Sequence, residues 1–134
     1  MKFRPALKSD ELFIKLVYKD CKNEIGSFNL YNCWDDYLNQ ESPYKFYILE
    51  NIGMIRFGFS KRINAFVVKD FGIVSEKQRC GFGELFFKNL PRPVYLTCNT
   101  DNEKGNSFYK KMGMKFIGTK LSKNKKKKMN IWVM

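Results

Sequence analysis

The segment Phe71-Gly-Ile-Val-Ser-Glu-Lys-Gln-Arg-Cys-Gly-Phe-Gly83 constrains this chain more than any other. A β-branched and aromatic run leads into it, and a polar stretch follows from Ser75. A helical pattern opens at Gly83, with Phe82, Leu85 and Phe86 on one side, and ends near Leu90 before Pro91 and Pro93. The segment therefore reads as strand, glycine loop and helix. The first N–H groups of a helix have no internal partner, and the positive end of the helix dipole lies there. Glycine lets main chain come close to a ligand. Lys77 and Arg79 add positive charge, so the segment is a candidate anion site. It lacks the third glycine of a dinucleotide fingerprint and the Gly-Lys-Ser/Thr of a Walker loop. An ordinary strand-to-helix turn would use the same residue types.

A second element lies downstream. Thr100-Asp-Asn-Glu103 matches a capping box, with Thr100 as N-cap and Glu103 at the third helical position. The helix it opens turns Phe108 and Met112 inward and stops at Gly113. Asn102 and Tyr109 are seven residues apart on it, close to two turns, so both side chains leave the same face.

The remaining elements follow from local pattern. Phe3–Ala6 forms a short first strand with Pro5 suited to an edge. Ser9-Asp-Glu opens a helix whose apolar positions are Leu12, Leu16 and Val17. A second short helix spans Tyr31–Asn39 and buries Cys33, Trp34, Tyr37 and Leu38. Strands cover Lys45–Glu50, Met54–Ser60, Ala65–Val74 and Val94–Cys98, and a last hairpin pairs Phe116–Leu121 with Met129–Val133. The order β-α-α-β-β-β-α-β-α-β-β describes one α/β domain over residues 1–134, a mixed central sheet flanked by about four helices.

Gln78-Arg-Cys-Gly-Phe-Gly83, together with Asn102 and Phe108-Tyr-Lys-Lys-Met-Gly113, resembles the two motifs of the GNAT superfamily of acyl-CoA-dependent N-acyltransferases. The opening Phe3-Arg-Pro-Ala is similar to the usual first strand of that family. The resemblance implies an enzyme that moves an acetyl group from acetyl-CoA to an amine by direct attack. It implies that the backbone from Arg79 through Cys80, Gly81, Phe82 and Gly83 to Glu84, with Gln78 beside it, cradles the coenzyme A pyrophosphate. Phe71, Gly72 and Ile73 would bond the pantetheine arm, and an N–H near Ile73 or Val74 would polarise the thioester carbonyl. Asn102 would hold the arm from the other side, and Tyr109 would protonate the leaving thiolate as general acid. The chain departs from the family pattern at Ser75-Glu-Lys, where many members carry proline, at Met114, where Phe is usual, and at Cys80, where a basic residue is common.

Composition narrows the chemistry further. The chain has no histidine, which removes His-dependent triads and leaves no metal site to propose. With His absent, the general base falls to a carboxylate, Asp70 first and Glu76 second, or to a chain of water. Cys21, Cys33, Cys80 and Cys98 are scattered, as in a reduced cytoplasmic protein. No run reaches the roughly 18 apolar residues of a membrane span, and no leader follows the N-terminal charges. Net charge is +12, eight of thirteen acids precede residue 51, and ten lysines but no acid follow Glu103. That basic half suits a solvated surface or a polyanionic cofactor. The alternative acceptor it suggests is nucleic acid, such as an aminoacyl-tRNA or a modified base. Monomer and homodimer are both compatible with the sequence.

Overall fold

The chain enters as β1 (Arg4–Pro5), turns through a 3₁₀ segment at Lys8–Asp10, and continues as α1 (Glu11–Asp20). The computed structural model describes residues 3–21 and 42–134, so the helix expected over Tyr31–Asn39 lies outside the described residues. The chain resumes with the antiparallel strands β2 (Lys45–Leu49), β3 (Gly53–Ser60) and β4 (Ala65–Ile73). After β4 come a 3₁₀ turn at Ser75–Lys77, α2 (Phe82–Lys88), β5 (Val94–Asn99) and α3 (Glu103–Lys111). The hairpin β6 (Lys115–Leu121) and β7 (Lys128–Val133) closes the chain. The strands form one sheet in the order β1-β2-β3-β4-β5-β7-β6, parallel between β4 and β5 and antiparallel elsewhere.

Two apolar clusters follow from the period-2 alternation of the strands. Phe46, Ile48, Met54 and Val74 point to one face and pack against α1. Leu49, Ile55, Phe57, Val68, Leu96 and Trp132 point to the other and pack against Phe86 and Phe87 of α2. Phe86 and Phe87 are each 1% exposed, and burying such a ring is worth roughly 2–3 kcal/mol.

The inward face of α1 corrects the sequence reading. Ile14, Val17, Tyr18 and Cys21 are buried, a stripe at i, i+3, i+4 and i+7, while Leu12 is 79% and Leu16 47% exposed. The entry to the helix is set by charge. Asp10 accepts the Leu7 amide at 2.7 Å and both Arg4 Nη atoms at 2.8 and 2.9 Å, and the guanidinium holds its carboxyl below the usual range. Arg4 Nε reaches Glu50 at 2.9 Å, which pins β1 to the end of β2.

One irregularity positions everything that follows. Arg56 pairs with Asp70, but the next residue, Phe57, pairs with Val68. Lys69 is the extra residue of a β-bulge, and a bulge bends the strand that carries it. Past the bulge, β4 and β5 part. Their parallel register holds only at Phe66 with Val94 and Val67 with Tyr95.

Candidate active site

The parting of β4 and β5 opens a cleft of about 960 Å³. Val68 to Ile73 form one wall, Leu96 to Asn99 the other, and α3 contributes Asn102, Phe108 and Tyr109. The glycine loop closes one end.

The β4 wall offers main chain in alternation. The Val74 amide donates to the Ile52 carbonyl at 2.9 Å, and Gly72 pairs with Met54. In an antiparallel ladder the intervening residues present their groups to the opposite edge. Phe71 and Ile73 therefore turn their amides and carbonyls toward the cleft, whereas Gly72 and Val74 turn theirs toward β3. Val74 does not line the cleft, and its side chain is buried under α1. Of the two amides considered for the oxyanion, the Val74 N–H is thus already used, and the Ile73 N–H lies on the cleft edge. The Ile73 carbonyl is filled by Gln78 Nε2 at 2.9 Å and Cys21 Sγ at 3.2 Å.

At the loop, Arg79 and Gly81 adopt left-handed φ values of 62° and 85°. Gly81 is the N-cap of α2, and the first helical bond runs from the Leu85 amide to its carbonyl at 3.2 Å. Among the described residues, the amides from Arg79 to Glu84 have no protein acceptor. The two glycines differ in purpose. A Cβ on Gly81 would meet nothing within 4 Å, whereas one on Gly83 would lie 2.8 Å from the Phe108 ring and 3.2 Å from Phe71. Gly83 is small enough for α3 to pack against it, and it also lines the cleft. Cys80 is exposed and does not line the cleft.

Gln78 braces the two walls. Its Nε2 holds Ile73, and its Oε1 accepts Lys104 Nζ of α3 at 2.9 Å. Helix α3 begins two residues later than the capping box implied. Its N-cap is Asn102 rather than Thr100, with Oδ1 accepting the Gly105 amide at 3.0 Å. Asn102 lines the cleft while capping the helix.

Tyr109 lines the same cleft, with its ring against Phe87, Phe108 and Trp132 at centroid distances of 5.9, 5.5 and 6.4 Å. Burial pushes its phenol well above the usual tyrosine range, and the neighbouring Cys98 and Asp70 push the same way. It therefore stays protonated, as a proton donor must. Cys98 beside it is also raised, to about 11, by burial against a lowering hydrogen bond from Asn102. A thiol so held is a poor nucleophile at neutral pH.

The two candidate bases lie in different surroundings. Asp70 lines the cleft, but its Oδ2 is held by Arg56 Nε at 2.7 Å and Nη2 at 2.6 Å, each side chain 13% exposed. Glu76 lines a separate hollow with Phe13, Leu16 and Asp20. Among the described residues no group of Cys, Asp or Glu side chains is arranged to hold a metal, and no helix is long and apolar enough to cross a membrane.

No family model matches the sequence. No curated protein matches it either. Solved structures do. A GNAT-family protein from Desulfovibrio desulfuricans superposes with TM-score 0.75 at 14% identity, covering 99% of this chain and 97% of that one. The spermidine N-acetyltransferase SpeG of Vibrio cholerae, in a point-mutant form, gives 0.73 at 14% identity over 100% and 94%. The chain has the GNAT fold. A Bacillus anthracis protein in complex with acetyl coenzyme A gives 0.56 at 18% identity over 70% and 64%. In this GNAT fold the sequence motifs converge on one cleft, apart from Val74 and Cys80. Lys104, which lines the cleft, and two residues that support it, Arg56 and Asn106, were not singled out by the sequence. Arg56 and Lys104 carry no motif, and Asn106 is visible only as a polar residue one turn after Asn102.

Proposed function

We propose that the protein is an acetyltransferase that binds acetyl-CoA in the cleft between β4 and β5 and transfers the acetyl group to an amine. The observation that carries this reading is the run of amides from Arg79 to Glu84 without protein acceptors, set at the open end of the parted strands. A diphosphate needs such a set of donors, and Lys77 and Arg79 beside them add charge. The exposed edge of β4 at Phe71 and Ile73 suits an amide-bearing extended arm, and the cleft volume falls in the range of small-molecule sites.

The residues then divide the work. The loop amides hold the diphosphate end, and Gln78 braces the walls beside them. Phe71 bonds the arm through main chain, with Asn102 across from it. The Ile73 N–H faces the thioester carbonyl and stabilises charge on its oxygen. The neutral amine attacks that carbonyl, and as the carbon–sulfur bond breaks, Tyr109 gives its proton to the sulfur. The proton lost by the amine leaves through water, since Asp70 is engaged by Arg56. Holding both reactants in one cleft supplies much of the rate.

Calorimetric titration tests the reading. Acetyl-CoA binds with Kd between about 1 μM and 1 mM. Gly81→Glu places a carboxylate at the diphosphate and abolishes binding. No binding by the unaltered protein, or unchanged affinity in Gly81→Glu, overturns the reading.

A second reading concerns the acceptor alone. Lys115, Lys120, Lys123 and Lys125 to Lys128 are exposed on the β6–β7 hairpin, and Lys127 also lines the cleft. This favours an amine carried on a polyanion such as RNA.

A further inference from the structure

We infer that Asn106 is a positioning residue, one that fixes the height and rotation of α3 and so sets where Asn102 and Tyr109 stand in the cleft. The inference rests on the reading that coenzyme A lies there.

Asn106 sits mid-helix, where a side-chain amide ordinarily faces solvent. Here it uses every hydrogen-bonding position it has. Its Nδ2 donates to the Asn99 carbonyl and to the Asn102 carbonyl, both at 2.9 Å. Its Oδ1 accepts Asn130 Nδ2 at 3.1 Å and Trp132 Nε1 at 2.9 Å. One side chain thus joins the end of β5, the N-cap of α3 and two residues of β7. The Asn102 side chain caps the helix at Gly105, so the carbonyl and the side chain of Asn102 are fixed from the same turn. The Trp132 ring, held by its N–H, lies against Tyr109.

Packing also holds α3, through Phe108, Tyr109 and Met112 against the core, and Lys104 ties its first turn to Gln78; the Asn106 bonds add a directed anchor between that turn and the phenol. None of its residues is fully buried, and at Gly105 the helix lies so close to β5 that a Cβ would meet Cys98 Sγ at 3.0 Å. A phenol oxygen stands about 8 Å from its helix axis, so a 10° rotation moves it about 1.4 Å. A misplacement of about 1 Å is enough to lower a rate on the order of 100-fold. A hydrogen-bonded anchor one turn before the phenol limits that rotation as apolar packing alone does not, because each bond is directional.

The test separates positioning from plain stability by using two ligands. Coenzyme A spans the loop and the α3 wall, whereas adenosine 3′,5′-bisphosphate carries only the nucleotide half. In Asn106→Ala, coenzyme A affinity falls about 10-fold, while that of the bisphosphate changes less than about 2-fold. Equal weakening of both ligands, or of neither, overturns the proposal. Should Asn106→Ala fail to fold, Trp132→Phe keeps a six-membered ring beside Tyr109 and removes the indole donor with the smaller ring that carries it. It shows the same split at smaller size, and its absence counts against the proposal. If the unaltered protein binds no coenzyme A, the coenzyme reading fails by itself. Nuclear Overhauser contacts between the Tyr109 and Trp132 rings then decide: loss in Asn106→Ala supports the proposal, and retention refutes it.

Discussion

Tyr109 is a phenol set among the rings of Phe87, Phe108 and Trp132, raised by burial and flanked by a thiol that is raised as well. Neither group ionises at neutral pH, so each holds its proton until the leaving sulfur draws on it. Of the two, the phenol has the reach and the aromatic cradle of Phe87, Phe108 and Trp132 to hold its direction. Tyr109→Phe should lower turnover about 10²–10⁴-fold and leave acetyl-CoA affinity within about 2-fold. Steady-state rates beside calorimetry check this, and full activity in the variant would remove the phenol from the mechanism. At this scale the sequence was informative about residue type and less so about partners. The spacing from Asn102 to Tyr109 placed both on one face. It could not show that Asp70 is paired with Arg56, because the bulge that brings the two opposite each other leaves no pattern in the chain.

Each element has a reason to sit where it does, and the loop with α2 gives the sharpest case. Gly81 supplies a left-handed turn, and Gly83 supplies room for Phe108. Gly83→Ala must displace Phe108, which is stacked on Phe71 at 5.9 Å, and such overpacking costs about 1–3 kcal/mol. Gly81→Ala meets no neighbour, and its strain is on the order of 1 kcal/mol. Urea unfolding of the two variants distinguishes the roles: Gly83→Ala should be the less stable, and the reverse order would contradict the packing argument. Element boundaries were legible to within a residue or two for the strands, since alternation and turn residues mark them. Two errors have physical causes. Leu12 and Leu16 are helical in spacing but lie outward, because the buried stripe of α1 runs through Ile14, Val17 and Tyr18. Thr100 has the right chemistry for a cap, yet Asn102 takes the position, leaving Thr100 to donate its amide to the Lys128 carbonyl at 3.0 Å.

At the scale of the molecule, charge is segregated. Seven of the ten lysines that follow Glu103 lie on the β6–β7 hairpin, which forms the edge of the sheet, and the other three on α3. If the acceptor is carried on RNA, the logarithm of affinity for a single-stranded oligonucleotide falls linearly with the logarithm of salt concentration. Replacing Lys125 and Lys126 with Gln then flattens that slope without changing coenzyme A affinity. A flat slope in the unaltered protein excludes the polyanion.

The sheet itself is two leaves. One runs from β1 to β4, the other from β5 to β6, and their shared spine is the short register at Phe66 and Val67. A molecule lodged in the wedge touches both leaves at once and staples them. Whatever free energy it gains there adds to the resistance of the whole chain to unfolding, so occupancy and durability rise together.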